Sequence, residues 1–167
     1  MASSVKGKTF ADFPQLVAQW DWEKNGELRP RDLASKSGRS VWWRCSEGPD
    51  HTWLATVANR VNGTGCPACA GKQVSVTNSL ATHFPEVAAE WHPTKNGDLT
   101  PDQVVAGSSK KAWWTCSVGP DHEWQASIVN RTKGRGCPMC RGLRASVTNS
   151  LASLYPDEAA QWHPTRN

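Results

Sequence analysis

Apolar and polar positions change rhythm several times along the chain, and each change marks an element. Over 84–91 the apolar residues Phe84, Val87 and Trp91 fall at i, i+3 and i+7, the spacing of one helical face, with Pro85 at a position that a first helical turn tolerates. A short helix is predicted there. Asn96-Gly97 then marks a turn. A strand is expected over 113–116, a turn at Gly119-Pro120-Asp121 and a returning strand over 122–127. A glycine-rich stretch leads into Cys137-Pro138-Met139-Cys140. Segment 72–83, with Ser75-Val76-Thr77-Asn78-Ser79-Leu80, reads as a linker, and 146–151 is its counterpart.

The whole pattern occurs twice. Displaced by 71 residues, the chain falls on itself without a gap, and residues 13–71 and 84–142 share 28 identities in 59 positions. A third copy begins: Phe13-Pro14 and Phe84-Pro85 are followed by Tyr155-Pro156, Trp20 and Trp91 by Trp162, and Asn25 and Asn96 by Asn167. The expected division is one unit over 10–74, a second over 81–145, and a partial third repeat or C-terminal cap over 151–167. A longer array, of which this is a part, would also give this pattern.

Composition explains why such units need a staple. Of the 167 residues 38% are apolar and ten are Trp, while Leu, Ile, Val and Phe are scarce for one large core. A unit of about 50–60 residues buries a small fraction of its surface and often needs a metal or disulfides. No run of about 18 apolar residues is present, so no membrane span is expected. Residues 1–10 carry no apolar leader core, so an intracellular protein, cytoplasmic or nucleoid-associated and not secreted, is expected. In a reducing compartment six cysteines read as metal ligands.

Their spacing supports that reading. Each unit contains C-x5-H-x14-C-x2-C: Cys45, His51, Cys66 and Cys69 in the first, Cys116, His122, Cys137 and Cys140 in the second. A Cys-Pro-x-Cys turn aims two sulfurs at one point, and the hairpin brings the other pair to it. Four nitrogen and sulfur ligands in tetrahedral array suit a structural Zn²⁺ with no position open for water. Two zinc ions per chain are expected. Disulfides would leave one cysteine unpaired in each unit. Asp50 and Asp121 compete for the fourth ligand position, but imidazole suits a thiolate-rich site better.

The formal charge is +4, and two sites of three thiolates and one Zn²⁺ lower it to about +2. An anionic partner must therefore be met by a local patch. Arg131, Lys133, Arg135, Arg141 and Arg144 lie within 14 residues with no acid among them, and Lys110-Lys111 precedes the strand. The first unit has a thinner set that includes Arg44 and Arg60. Such clusters suit phosphate contact, or form a solvated face. Arg60 and Arg131 both follow Asn, so a structural task, bonding carbonyls of the glycine loop or stacking on a Trp, fits them too. Strand alternation puts Trp43, Trp53, Trp114 and Trp124 on the zinc side. Trp42 and Trp113 point away, where they pack on the helix through Trp20 or Trp91, or stay open to stack on a base.

These residues resemble a known family, the repeated zinc-ribbon or treble-clef zinc finger domains. The resemblance rests on Trp91-His92-Pro93, Asn96-Gly97-Asp98-Leu99-Thr100-Pro101, Trp113-Trp114-Thr115-Cys116, His122-Glu123-Trp124, Asn130-Arg131 and Gly136-Cys137-Pro138-Met139-Cys140, and it covers nearly the whole chain. The first unit departs from it at Asp21-Trp22, where His-Pro is expected. The resemblance implies zinc binding in tandem arrays, often beside nuclease-like domains.

The expected fold is small, metal-stabilised α+β: two tandem zinc-ribbon or treble-clef-like units, each a β-hairpin plus a zinc knuckle, with short helices in the linkers. The expected function is a nucleic-acid-binding module, for DNA or RNA, within a larger protein. A protein-interaction or structural adaptor is the alternative, and an attached effector domain fits either. No enzyme and no small-molecule substrate is expected. The repeated histidine outside the metal set, His92 matched by His163, has Asp21 as its counterpart in the first unit, and no nucleophile or phosphate-cradling loop accompanies it.

Overall fold

The computed structural model describes residues 9–163, 165 and 166. Residues 1–8, most of the stretch read above for a leader, and Asn167, the last of the asparagine series, lie outside the described residues. The chain divides into two compact units, Met1–Asn78 and Ser79–Asn167.

In the first unit a single helical turn, α1 (Pro14–Val17), precedes a hairpin of β1 (Ser40–Arg44) and β2 (Thr52–Thr56), and a second turn, α2 (Val57–Val61), follows directly. The second unit repeats this with α3 (Leu80–His83), α4 (Pro85–Ala89), β3 (Lys111–Thr115), β4 (Glu123–Ser127) and α5 (Ile128–Thr132). Two further turns, α6 (Leu151–Leu154) and α7 (Pro156–Ala159), follow at positions 71 residues after the starts of α3 and α4. Among the described residues no helix is long and apolar enough to cross a membrane.

The elements depart from the sequence expectation in instructive ways. The helix expected over 84–91 is only α4, because Glu90 leaves helical geometry and Trp91 goes on to pair with Trp114. His122 lies in the turn, its amide bonded to the Gly119 carbonyl at 3.2 Å, so the returning strand starts one residue later at Glu123. Helices α2 and α5 stand in what reads as plain glycine-rich chain. They are one turn long, too short for apolar periodicity to register, and Thr56 caps α2 by accepting from the Asn59 amide at 3.2 Å.

Each hairpin is antiparallel with the tryptophans opposed, Trp43 to Trp53 and Trp114 to Trp124. The free edge of β1 is covered by its own helix's exit: Arg44 donates to the Gln19 carbonyl at 2.8 Å and Asp21 to the Trp42 carbonyl at 3.2 Å. In the second unit Thr115 donates to Glu90 and His92 to Trp113 in the same way, at 2.8 and 3.0 Å. Asn25 completes this edge by exchanging two bonds with the Trp42 backbone, at 2.8 and 2.9 Å, as a strand residue would. Asn96 does the same to Trp113, at 3.0 and 2.8 Å. The Asn-Gly turns are thus sheet clamps, with Gly26 and Gly97 taking the positive φ that follows.

This edge carries Trp20 onto the face of Trp43, where the rings meet edge to face at 5.9 Å; Trp91 meets Trp114 at 5.2 Å. The helix therefore packs on the Trp43 and Trp114 side, not on the Trp42 and Trp113 side. Phe10 and Leu80 close the two cores from matching places, their amides bonded to the carbonyls of Leu33 and Val104 at 2.8 Å. They are 70 residues apart, whereas Phe13 and Phe84 are 71 apart. A 3-10 turn at Phe10–Asp12 in place of the α-turn α3 absorbs the missing residue.

Candidate metal centres and basic groove

In each unit one ligand atom from each of the four expected residues lies within 4.8 Å of the others: Cys45, His51, Cys66 and Cys69, then Cys116, His122, Cys137 and Cys140. The hairpin turn delivers the first two, and Cys45 and Cys116 are tied in register by amides bonded to the carbonyls of His51 and His122 at 3.0 and 3.1 Å. The Cys-Pro-x-Cys turn after α2 or α5 delivers the others. Sulfur separations are 3.7 Å for both Cys45–Cys69 and Cys116–Cys140, far beyond a disulfide, and all six cysteines are free.

These separations test the fit to a metal. Tetrahedral zinc with bonds of about 2.3 Å to sulfur and about 2.0–2.1 Å to nitrogen sets sulfur–sulfur edges near 3.8 Å and sulfur–nitrogen edges near 3.6 Å, by simple trigonometry. His51 Nδ1 lies 3.7 and 3.5 Å from the sulfurs of Cys66 and Cys69, and His122 Nδ1 lies 3.5 Å from both Cys137 and Cys140. The donor set and its spacing fit one Zn²⁺ per unit, two per chain. Desolvation, then the adjoining sulfurs of Cys45 and Cys66, push the Cys69 thiol up to about 12, and Cys140 is raised to about 12 in the same way beside Cys116 and Cys137. Crowded sulfurs of this kind ionise when a cation compensates them.

The face of the imidazole is set from behind. His51 Nε2 lies 3.0 Å from Ser75 Oγ and 2.8 Å from Thr77 Oγ1, and the two hydroxyls are 2.7 Å apart. With Nδ1 given to the metal, Nε2 carries the proton and donates to this pair. His122 meets Ser146 and Thr148 identically, at 3.1 and 2.8 Å. Asp50 does not compete for the metal: its carboxylate accepts from the Val76 amide at 2.9 Å, and Asp121 accepts from Val147 at 2.9 Å. Asn78 and Asn149 fold the same segment by accepting from the Ser75 and Ser146 amides. Segment 75–78, expected as linker, thus forms the back wall of the site. Its signal in the sequence is the identical Ser-Val-Thr-Asn-Ser-Leu in both copies.

Gly48 and Gly119 bring the turn against the ring. A Cβ on Gly48 would stand 2.6 Å from two ring atoms of His51, and one on Gly119 2.8 Å from His122 and from Thr148.

Arg60 and Arg131, counted above among phosphate contacts, are only 5% and 4% exposed. The structure gives them the structural task instead. The Arg60 guanidinium stands 5.0 and 5.3 Å from the ring centres of Trp43 and Trp53, and bonds the Thr64 carbonyl and Gln19. Arg131 stands 5.2 and 5.3 Å from Trp114 and Trp124, and bonds the Arg135 carbonyl and Glu90. Burial lowers the pKa of Arg60 while the charges of Cys66 and Cys45 raise it. A guanidinium stays charged under that balance, so Arg60 opposes the net negative charge of three thiolates around Zn²⁺.

Trp42 and Trp113 are half-buried, and each already carries a lysine of its own unit over its ring, Lys24 at 4.5 Å and Lys95 at 4.8 Å. Arg44 is spent in part on Asp21, at 3.4 Å, and Glu23, at 3.8 Å. Lys110 and Lys133 are exposed. Lys111, Arg135, Arg141 and Arg144 line one open groove beside Gln125 and Asn130. The positions equivalent to those four cations in the first unit are Ser40, Thr64, Ala70 and Gln73, all neutral.

His92 is buried with both ring nitrogens engaged. Nδ1 accepts from the amides of Thr94 and Lys95 at 3.2 Å, and Nε2 lies 2.9 Å from Glu123, whose carboxylate also pairs with Lys95 and is held below its usual range by these two. Its counterpart Asp21 caps the same turn by accepting from Lys24 at 2.9 Å.

No curated protein matches the chain. The family model described as probable treble clef zinc finger domain matches twice, over residues 16–72 and 87–143, and each match takes in one hairpin and one complete cysteine–histidine cluster. With most of its length covered and both metal clusters in place, the chain belongs to the treble-clef zinc finger family that this model describes, as two tandem members.

Proposed function

We propose that the protein is a non-catalytic module that binds DNA or RNA inside the cell, with the second unit as the principal phosphate contact. The observation that carries this reading is the groove of Lys111, Arg135, Arg141 and Arg144, held on a zinc-braced frame. Four exposed cations lining one concavity, together with Gln125 and Asn130, offer several phosphates of a polyanion a contact each, more than an isolated small anion would use. The first unit keeps the frame and lacks these charges, so the groove is not a requirement of the fold. The engaged nitrogens of His92 leave no free base there, which supports a binding role over cleavage.

Titration of DNA and RNA oligonucleotides at rising salt tests this. Binding at about 50 mM salt that weakens steeply, with a log–log slope near −3 to −4 for about four phosphate contacts, is expected. Absence of binding at that salt would instead favour a protein adaptor. One observation favours that second reading: Leu151, Leu154, Tyr155 and Trp162 are exposed, whereas Leu80, the counterpart of Leu151, is fully buried.

A further inference from the structure

The first unit lacks the basic groove but has a surface that the second does not. Trp22 is 54% exposed and borders a shallow notch with Ala11, Val17, Arg29, Pro30 and Arg31. The indole is steadied from below, its ring 6.4 Å from Trp20 in an edge-on contact, while Trp20 itself is locked in the core. The Arg29 guanidinium lies 5.9 Å from the Trp22 ring centre, anchored by donating to the Gly26 carbonyl at 2.6 Å. Arg31 is extended into solvent, with its side chain 81% exposed and only a loose 4.0 Å approach to Asp32.

None of this is needed to build the unit. Trp22 is replaced by Pro93 in the second unit, Arg29 by Thr100 and Arg31 by Asp102, while the Pro30 that shapes the notch is kept as Pro101. The aromatic face and both cations are thus absent together from the second unit, one position with reversed charge, on a matching frame. Arg29 lies over part of this ring at the far limit of such contacts and leaves the indole more than half exposed, so its open surface, with Arg31 beside it, has the chemistry of a platform for one base with its flanking phosphates. A lone apolar peptide side chain would gain nothing from the two cations.

We infer that Trp22, with Arg29 and Arg31, is a stacking site for an unpaired nucleobase, and that the protein therefore prefers single-stranded to double-stranded nucleic acid. In a duplex every base face is already stacked on its neighbours, so the indole has nothing to take. The inference rests on the nucleic-acid reading above and adds the strandedness of the ligand. Because the two sites belong to one chain, a strand long enough to reach both gains affinity through effective concentration.

The test uses the full chain with zinc, fluorescent 20-nucleotide oligo-dT and oligo-U, and a blunt DNA duplex of the same length, all at about 50 mM salt. Wild-type protein is expected to bind one or both single strands at least about tenfold more tightly than the duplex. Trp22→Ala should weaken single-strand binding by roughly 5- to 100-fold, Trp22→Phe should retain most of it, and duplex binding should not change. Arg31→Asp, which installs the second unit's residue, should weaken single-strand binding further. Equal zinc content and melting temperature in all variants show that the frame is intact. Trp22→Ala binding single strands like wild type, or losing single-strand and duplex binding equally, overturns the stacking site while the phosphate groove stands. Wild-type protein that binds no oligonucleotide overturns both.

Discussion

His51 and Thr77 meet through Nε2 and Oγ1 at 2.8 Å, on the side of the imidazole opposite the sulfurs. Ser75 lies 3.0 Å from the same nitrogen, so one N–H faces two hydroxyl acceptors. Either alone can hold the ring. Ser75→Ala or Thr77→Val alone should therefore change zinc affinity little, while the double variant should lose roughly 10- to 100-fold, the usual effect of removing the partner that orients a histidine ligand. Competition with a chromophoric chelator reads this directly. A double variant with wild-type affinity would show that the hydroxyls do not position the ring.

Gly48 and Gly119 make the opposite argument, from space rather than bonding. A methyl group on Gly48 would lie 2.6 Å from the His51 ring, which is walled by Ser75 and Thr77 and has nowhere to retreat. Gly48→Ala should uncouple His51 from its site and leave a three-sulfur cluster that exchanges zinc faster, with the second unit unaffected. Histidine NMR resonances and zinc exchange rates, measured for each unit, check it.

Arg131 and Arg141 sit near each other in sequence but differ in burial, Arg131 enclosed in its unit and Arg141 exposed in the groove proposed to meet phosphate. Arg131 lies between Trp114 and Trp124 and bonds Glu90, so Arg131→Ala should destabilise the second unit by about 2–4 kcal/mol. Arg131→Lys should not restore it, because an ammonium cannot fill the slot between two rings while also reaching the carbonyl of Arg135. Arg141→Ala should leave the melting temperature within about a degree and weaken nucleic-acid binding, as a surface substitution does. Thermal denaturation beside a binding titration separates the two.

The differences between the units at one edge compensate each other. In the first, Asp21 lies against Arg44; in the second the same places hold His92 and Thr115, and Glu123 stands where the first has Thr52. His92→Asp alone would set a carboxylate against Glu123 and should destabilise the second unit by about 1–2 kcal/mol. Adding Glu123→Thr and Thr115→Arg should recover most of this, because the triple variant rebuilds the arrangement of the first unit. Urea denaturation of His92→Asp, of Glu123→Thr with Thr115→Arg, and of the triple variant gives the coupling energy. Additive losses would show that the residues act independently.

The metal ligands were legible because their chemistry is written in residue type and interval, and the repeat doubled the signal. The hairpins and their tryptophans were legible through alternation. The role of segment 75–78 was not: short polar residues between two units have the composition of a linker, and only the fold brings Ser75 and Thr77 behind His51. Arg60 and Arg131 read equally as surface cations and as buried braces, since charge alone carries no depth; the Asn before each and the glycine loop after it were the available hint. For Trp42 and Trp113 the sequence left two choices, packing on the helix or staying open, and the structure puts Trp20 and Trp91 against Trp43 and Trp114 instead. That choice depends on the exit strand pairing with β1 and β3 through Asn25 and Asn96, a long-range contact that no local pattern encodes.

The account depends most on two metal ions, each bound by three sulfurs and the Nδ1 of a histidine. Native mass spectrometry of the purified chain, with and without chelator, tests this most directly. The predicted result is two bound zinc ions per chain, one after Cys66→Ser or after Cys137→Ser, and loss of folded charge states once both are stripped. A chain that remains folded with no metal, or one with its cysteines joined in disulfides, would contradict it.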